Sequence, residues 1–497
     1  MRRDISRRLF LTSAAAVALG ARGAIAAPPE ASLRPVLRGD DFHKRAVRSV
    51  EEIIRGHKLS GRVSFALADA RTGKWLECEN EQVGTPPAST AKAITALYAL
   101  DALGPEHQFQ TRLCATGGIQ NGEVLGDLVL IGGGDPTLDT DALADMAAKL
   151  KEAGIIGVRG GFKIYEGSLP VLPQIDPEQP DQVGYNPGVS GLALNFNRVH
   201  FEWKRDSNGY SVSMDGRSEK YRPAVGMAVM HIRDRSTPVY TYEDRAGRDN
   251  WTVARGALGK AGSRWLPVRK PGLYAGEVFA TMAGSQGIRL GKPQIIDELP
   301  DGDLVVTRKS ELLREILRDM LLYSTNLTAE MVGLAASVKR LGEVGDLRSS
   351  AAEMNRWAID ALGMVAPKLV DHSGLGDDSL MTALDMTRAM IRMRESELPG
   401  ILRLIPMRDA KGKLVPDHPM TVHAKTGTLN FVSGLSGYIT GKDGRSMAFT
   451  ILAADPAERA KITRAEREGP AGGRAWNTRA KRVQQALIER WGVLYGT

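Results

Sequence analysis

Cysteine is almost missing from this sequence: Cys78 and Cys114 are the two in 497 residues. That excludes a fold stapled by a disulfide framework. The eight histidines form no His-Glu-x-x-His, and no Cys pair has zinc spacing, so no metal is implied. Whether the two cysteines pair depends on a Cα separation that sequence does not give. Aromatic residues reach only 6%, and no basic stripe interleaves with them, which speaks against a nucleic-acid surface. Past the N-terminus no apolar run approaches the roughly 18 residues of a membrane span. Repeats and low-complexity tracts are absent as well. Gly132-Gly133-Gly134-Asp135 lacks the Gly-Lys-Ser/Thr ending of a phosphate loop and the spacing of a dinucleotide fold, so it reads as a tight turn and no cofactor is implied.

What is present begins with residues 1–26. Ser6-Arg7-Arg8-Leu9-Phe10-Leu11, a weak Ala-rich stretch from Leu11 to Ala21, and Ala24-Ile25-Ala26 fit a twin-arginine export signal with its cleavage site. The plain alternative is an ordinary secretory signal holding two arginines. Either places the mature chain outside the cytoplasm. Five arginines and one aspartate in this segment leave +4 of the formal +8 for the remainder, a mildly basic protein suited to an anionic polymer.

The length asks for two or three domains. Apolar spacing predicts a helix within 43–57, then a hairpin of Val63–Leu67 with Trp75–Cys78, then a helix after Ser89 that stops at Gly104-Pro105. From about 110 to 289 short strand-like runs and glycine turns dominate, and this stretch reads as a mostly β insertion of two lobes. Helical patterns return at Leu312–Leu322, Ala329–Val338 and Ala351–Leu362, and Phe431–Ile439 and Met447–Ala453 read as adjacent strands. Trp476, Ala480, Val483, Leu487 and Trp491 mark an amphipathic terminal helix, which packs on the sheet or, as an alternative, lies on a membrane surface.

Three short motifs carry chemistry. In Ser89-Thr90-Ala91-Lys92 the i, i+3 spacing brings an amine to a hydroxyl at a helix start, where the dipole and burial both favour the neutral base. A capping serine followed by a surface lysine is the bland reading of that motif alone. Ser324-Thr325-Asn326 offers a proton-relaying hydroxyl and an amide that can hold a peptide, or else a routine helix cap. Lys425-Thr426-Gly427-Thr428 precedes a strand, where glycine admits a substrate backbone and the lysine and hydroxyls suit a carboxylate; a polar turn is its alternative. The ordered set is far more specific than any member.

With these motifs, Gly126-Asp127-Leu128 through Gly134-Asp135-Pro136-Thr137-Leu138, Ser373-Gly374-Leu375 and Ala329-Glu330, the chain resembles the D-alanyl-D-alanine carboxypeptidase/endopeptidase family of low-molecular-mass penicillin-binding proteins, the DacB-like serine peptidases. The 235 positions between Ser89 and Ser324 fit that family's large insertion. The resemblance implies an α/β (α+β) chain with a β-lactamase/transpeptidase-like domain, an antiparallel sheet flanked by helices, over 27–109 and 290–497, interrupted by 110–289. It implies Ser89 as nucleophile, Lys92 as base, Ser324 as proton relay and Asn326 as substrate holder. Lys425, Thr426 and Thr428 would bind the terminal carboxylate, with the N–H groups of Ser89 and Thr428 forming an oxyanion hole beside Gly427. The implied partners are peptidoglycan stem peptides in the periplasm, with β-lactams as covalent inhibitors. Asp181 is a candidate for meeting the amine of a diamino-acid stem peptide, against the reading of a solvated loop aspartate. Thr325 stands where the family commonly has aspartate, Leu322 where lysine is frequent, and His372 where a small residue is usual. A serine β-lactamase and a catalytically silent wall-binding protein are the rival readings.

Overall fold

In the computed structural model, residues 44, 47–207, 209–409 and 412–496 are described; the export segment at 1–26 lies outside them. Ser49 opens helix α1 (Val50–Gly56) with a closed capping box: its hydroxyl accepts from the Glu52 N–H, and the Glu52 carboxylate accepts from the Ser49 N–H. β1 (Arg62–Asp69) and β2 (Trp75–Glu79) form the expected hairpin. Three strands from the far end of the chain join them: β3 (Met420–Leu429), β4 (Val432–Gly441) and β5 (Ser446–Ala454). The sheet is antiparallel throughout, in the order β3-β4-β5-β1-β2, so β3 is an edge.

The central strands are buried on both faces, which is why β5 reads as an apolar run broken only by Thr450 after Ser446, instead of an alternation. Against one face lies the terminal helix α7 (Gly473–Tyr495), whose Trp476, Ala480, Val483, Leu487 and Trp491 are all buried. Its Trp491 ring packs 5.5 Å from Phe65 and 6.0 Å from Phe449. The other face carries α2 (Ala91–Leu103), α3 (Leu313–Tyr323), α4 (Asn326–Leu341), α5 (Leu347–Leu362) and α6 (Ala383–Arg392), which share a core through Tyr98, Leu317, Trp357 and Met390. The amphipathic stripe of α7 is therefore spent on the sheet.

The chain leaves this module along the strand Gln110–Ala115 and comes back along Asp303–Lys309, and these two strands pair with each other. Exit and return are thus neighbours, which lets a long detour leave the first sheet undisturbed. They belong to a five-stranded sheet completed by Leu128–Ile131, Phe162–Tyr165 and Pro293–Ile296, with parallel pairs as well as antiparallel ones. Helices Thr140–Glu152 and Pro271–Ser285 are part of its core. Two three-stranded sheets follow, one of Arg198–Asp206, Gly209–Asp215 and Ala261–Pro267, the other of Ala228–Arg233, Tyr240–Arg245 and Arg248–Ala254. The stretch expected to be mostly β therefore also holds two helices. Cys78 on β2 and Cys114 on Gln110–Ala115 belong to different sheets, and both are free thiols.

The loop after Tyr165 reaches back to the helices on the first sheet. Leu169, Ile175 and Val189 bury against Leu327, Met331 and Leu334 of α4. Residues around 179–185 are thereby held beside the start of that helix.

Candidate active site

The chain enters α2 through a 3₁₀ turn, Ala88–Thr90. The Thr90 N–H and hydroxyl both donate to the Pro87 carbonyl, at 3.2 and 2.6 Å. Ala88 sits at φ +47°, in the left-handed region that a Cβ disfavours. Two glycines hold it there: a Cβ on Gly374 would lie 2.0 Å from the Ala88 carbonyl oxygen, and one on Gly427 2.7 Å from that of Pro87. The turn carrying Ser89 is clamped between bare backbones.

One turn on, Lys92 is wholly buried. Its Nζ lies 3.0 Å from Ser89 Oγ, 2.8 Å from Asn326 Oδ1 and 2.9 Å from the Ser373 carbonyl oxygen. Burial pushes the ammonium down to about 8, although the carboxylates of Glu330 and Asp371 pull the other way. Glu330, on α4, accepts from the N–H groups of His372 and Ser373 at 2.9 and 3.0 Å, and burial pushes its carboxyl up to about 8. Asp371, raised by burial, accepts from the N–H groups of Gly374 and Gly376, both at 2.6 Å. Sequence reasoning gave these two acids no role. Glu330 was visible as a charge four residues after Asn326, on the same face of a helix and amid apolar positions.

Ser324 ends α3 in the left-handed conformation, φ 61° and ψ 38°, just before Thr325 leads into α4. Strain of this kind in a non-glycine residue is held by its surroundings. Here it brings Ser324 Oγ to 2.9 Å from Lys425 Nζ, which also donates to the Thr426 carbonyl at 2.9 Å. Lys425 is 1% exposed. Burial first, and then Lys92 and Arg403, press its ammonium down to about 6. The Asn326 amide donates to the Tyr185 carbonyl at 3.0 Å and so joins α4 to the inserted loop.

Alternation along β3 assigns the faces. Val422 and Ala424 lie in the core under α7, so Thr426 and Thr428 leave on that side, while Lys425 and Gly427 face α2. The outer edge is occupied upstream: the Ala424 N–H donates to the Arg403 carbonyl, and the Ile405 N–H to that of Val422. Because β3 keeps register with β4 from Met420 to Leu429, the N–H groups of Thr426 and Thr428 point to the same outer side, beyond this plug.

Ser89, Ser324, Asn326, Thr426 and Thr428 line one cleft of ≈ 430 Å³, with Gln179 and Tyr185 of the insertion and Asn430, Arg459, Arg467 and Asp377 on its rim. Lys92 and Lys425 lie beneath its wall. Asp377 is ion-paired to both Arg459 and Arg467. Asp181 is not among the lining residues: its carboxylate pairs with Arg464 at 2.8 Å and its carbonyl accepts from Arg269, so its charge is already answered by a neighbour. His372 is buried and neutral, its pKa driven to about 3 by burial, with Nε2 2.7 Å from Ser350 Oγ. It fits where a small residue is usual because Gly333 leaves room; a Cβ there would fall 2.2 Å from the imidazole.

Known proteins resemble the chain in sequence and in fold. A sequence profile described as the D-Ala-D-Ala carboxypeptidase 3 (S13) family matches residues 46–469. A D-alanyl-D-alanine carboxypeptidase of Actinomadura sp. (strain R39) is 27% identical over 81% of this chain and 80% of its own. D-alanyl-D-alanine carboxypeptidase DacB of Haemophilus influenzae is 24% identical over 73% of this chain and 79% of its own. Among solved structures, penicillin binding protein 4 (dacB) of H. influenzae superposes with a TM-score of 0.70 at 18% identity, covering 89% of this chain and 99% of that one. The fold is therefore the penicillin-binding transpeptidase-like one with extra domains.

Proposed function

The chain belongs to the D-Ala-D-Ala carboxypeptidase 3 (S13) family and is a serine-type carboxypeptidase, and on that premise we propose that it trims terminal D-alanine and cuts D-alanyl cross-bridges of peptidoglycan through an acyl-enzyme on Ser89. The observation that supports this most is the Lys92 amine 3.0 Å from Ser89 Oγ, buried and depressed to about 8. A serine hydroxyl needs a neighbouring base, and only a lysine with a lowered pKa can supply one near neutrality.

Neutral Lys92 takes the Ser89 proton as the oxygen attacks the carbonyl carbon of the penultimate D-Ala. The negative charge that develops is met by the N–H groups of Ser89 and Thr428. Asn326, tied to Lys92 through its oxygen and to Tyr185 through its amide, fixes both the base and the cleft wall. Ser324, held by Lys425, passes a proton to the departing amine. The substrate backbone lies along the open edge of β3, with the hydroxyls of Thr426 and Thr428 beside its end. Water then resolves the ester. A β-lactam enters the same cleft, acylates Ser89 and leaves slowly. In the same reading residues 1–26 direct export to the periplasm and are removed, 27–109 and 290–497 form the catalytic module, and 110–289 is an insertion whose main sheet is completed by 293–309.

Labelling by a fluorescent penicillin tests the nucleophile: wild type is expected to label and Ser89→Ala not to. Equal labelling of the two removes Ser89 from the role. Release of D-Ala from a pentapeptide, measured beside hydrolysis of a β-lactam, separates this enzyme from a serine β-lactamase.

A further inference from the structure

Lys425 cannot be the cation that receives the substrate's carboxylate at the cleft surface: it is 1% exposed and engaged with Ser324 Oγ and the Thr426 carbonyl. Yet a free carboxylate brought to a partly dry cleft needs a charge opposite it. A second cavity, of ≈ 290 Å³, opens on the α7 side of β3, and Thr426 lines both it and the cleft. Arg403, Arg408 and Lys481 line this second cavity and no acidic side chain does; its apolar wall includes Ile405, Met407 and Ile488. Among the described residues the guanidinium of Arg403 has no hydrogen-bond or ion-pair partner, whereas Arg408 donates to the Gly412 carbonyl.

The backbone places Arg403 where the leaving group ends. Its carbonyl accepts from the Ala424 N–H, the last outward donor before the free edge at Thr426 and Thr428. A substrate strand whose scissile carbonyl sits between Ser89 and the Thr428 N–H runs its leaving residue past Thr426 toward this plug. Resting on the Ser89 reading, we propose that the cavity behind Thr426 is the leaving-group subsite, in which Arg403 binds the carboxylate of the departing residue. The apolar wall beyond it suits the aliphatic arm of a carboxylate-bearing diamino acid, the leaving group when a cross-bridge is cut. The guanidinium also acts on Lys425, which Arg403 presses toward its neutral form, so an anion docked on Arg403 relieves that pressure.

The test compares wild type, Arg403→Ala and Arg403→Lys on an acyl-D-Ala-D-Ala peptide and on the same peptide ending in a carboxamide. Losing a charge-assisted bond predicts a fall of about tenfold or more in kcat/KM on the acid for Arg403→Ala, carried mainly by KM, with most of the rate kept in Arg403→Lys and a change within about twofold on the amide. Arg403→Ala equal to wild type on the acid, or equally impaired on both peptides, overturns the assignment. A wild-type protein that releases neither D-Ala from the acid nor D-alaninamide from the amide, and labels with penicillin no better than Ser89→Ala, overturns the Ser89 reading instead.

Discussion

Acylation of Ser89 should follow the neutral fraction of Lys92. At its ordinary lysine value the amine would be neutral in about 0.03% of molecules at pH 7, against about 9% with the pKa at about 8, a gain of some 300-fold. Burial supplies this, since the ammonium loses its water while Glu330 and Asp371 recover only part of the loss. The rate of labelling by a fluorescent penicillin is therefore expected to climb about tenfold per pH unit below 8 and to level off above it. Glu330→Gln removes the carboxylate charge that favours the ammonium wherever Glu330 is ionised, which its raised pKa confines to the range around 8 and above. There the amine loses its proton more readily, and the upper part of the rising limb moves in the acid direction. The variant also leaves one of the two N–H groups of His372 and Ser373 facing an amide NH₂, so it should melt at lower temperature, a loss of stability that does not itself move the limb. A wild-type rate independent of pH between 6 and 9, or a limb that moves toward alkali in Glu330→Gln, would refute the role of Lys92 as the base.

Lys92→Met should lower the acylation rate by about 10²- to 10⁴-fold, the usual worth of a positioned general base, while the protein keeps a cooperative melt. Gly427→Ala would set a Cβ 2.7 Å from the Pro87 carbonyl oxygen and 3.1 Å from the Thr90 nitrogen; overpacking of this kind costs about 1–3 kcal/mol, and thermal melting together with penicillin labelling should both fall. Trp491→Ala empties the space between Phe65 and Phe449, and denaturant unfolding is expected to lose about 3–5 kcal/mol. Because Cys78 and Cys114 are free, a reductant should leave the melting temperature unchanged; a clear drop would show a bond between them.

The catalytic module was legible because its chemistry and its periodicities are local. Ser89 and Lys92 stand one turn apart on a helix start, and the apolar positions of α7, from Trp476 to Trp491, repeat at helical spacing and are all buried. Of the adjacent strands, β5 was readable from Met447–Ala453, apolar but for Thr450, and β4 from the β-formers Val432, Leu435, Tyr438 and Ile439. Pairing in the insertion was not readable. Leu128–Ile131 and Phe162–Tyr165 are four-residue strands, and a run that short holds no register; Gln110–Ala115 finds its neighbour in Asp303–Lys309, nearly the whole insertion away. Burial of Lys425 was hidden for a different reason. A lysine beside two threonines reads as a surface cation, and only the packing of β3 against α2 turns it inward, where it serves Ser324. The ion pair of Asp181 was hidden in the same way, since its partner Arg464 comes from a loop 283 positions later.

The segment that seals the upstream part of β3 has a consequence for solubility. An unpaired strand border invites a second molecule to zip onto it, and proteins ordinarily blunt such borders. Here a working enzyme must keep one bare, and the stretch around Leu404, bridged to His423, trims the vacancy to a few residues. That is room for the tail of a short peptide and leaves a neighbouring copy only a few backbone groups to pair with, so the same segment that frames the substrate's strand also blunts the edge.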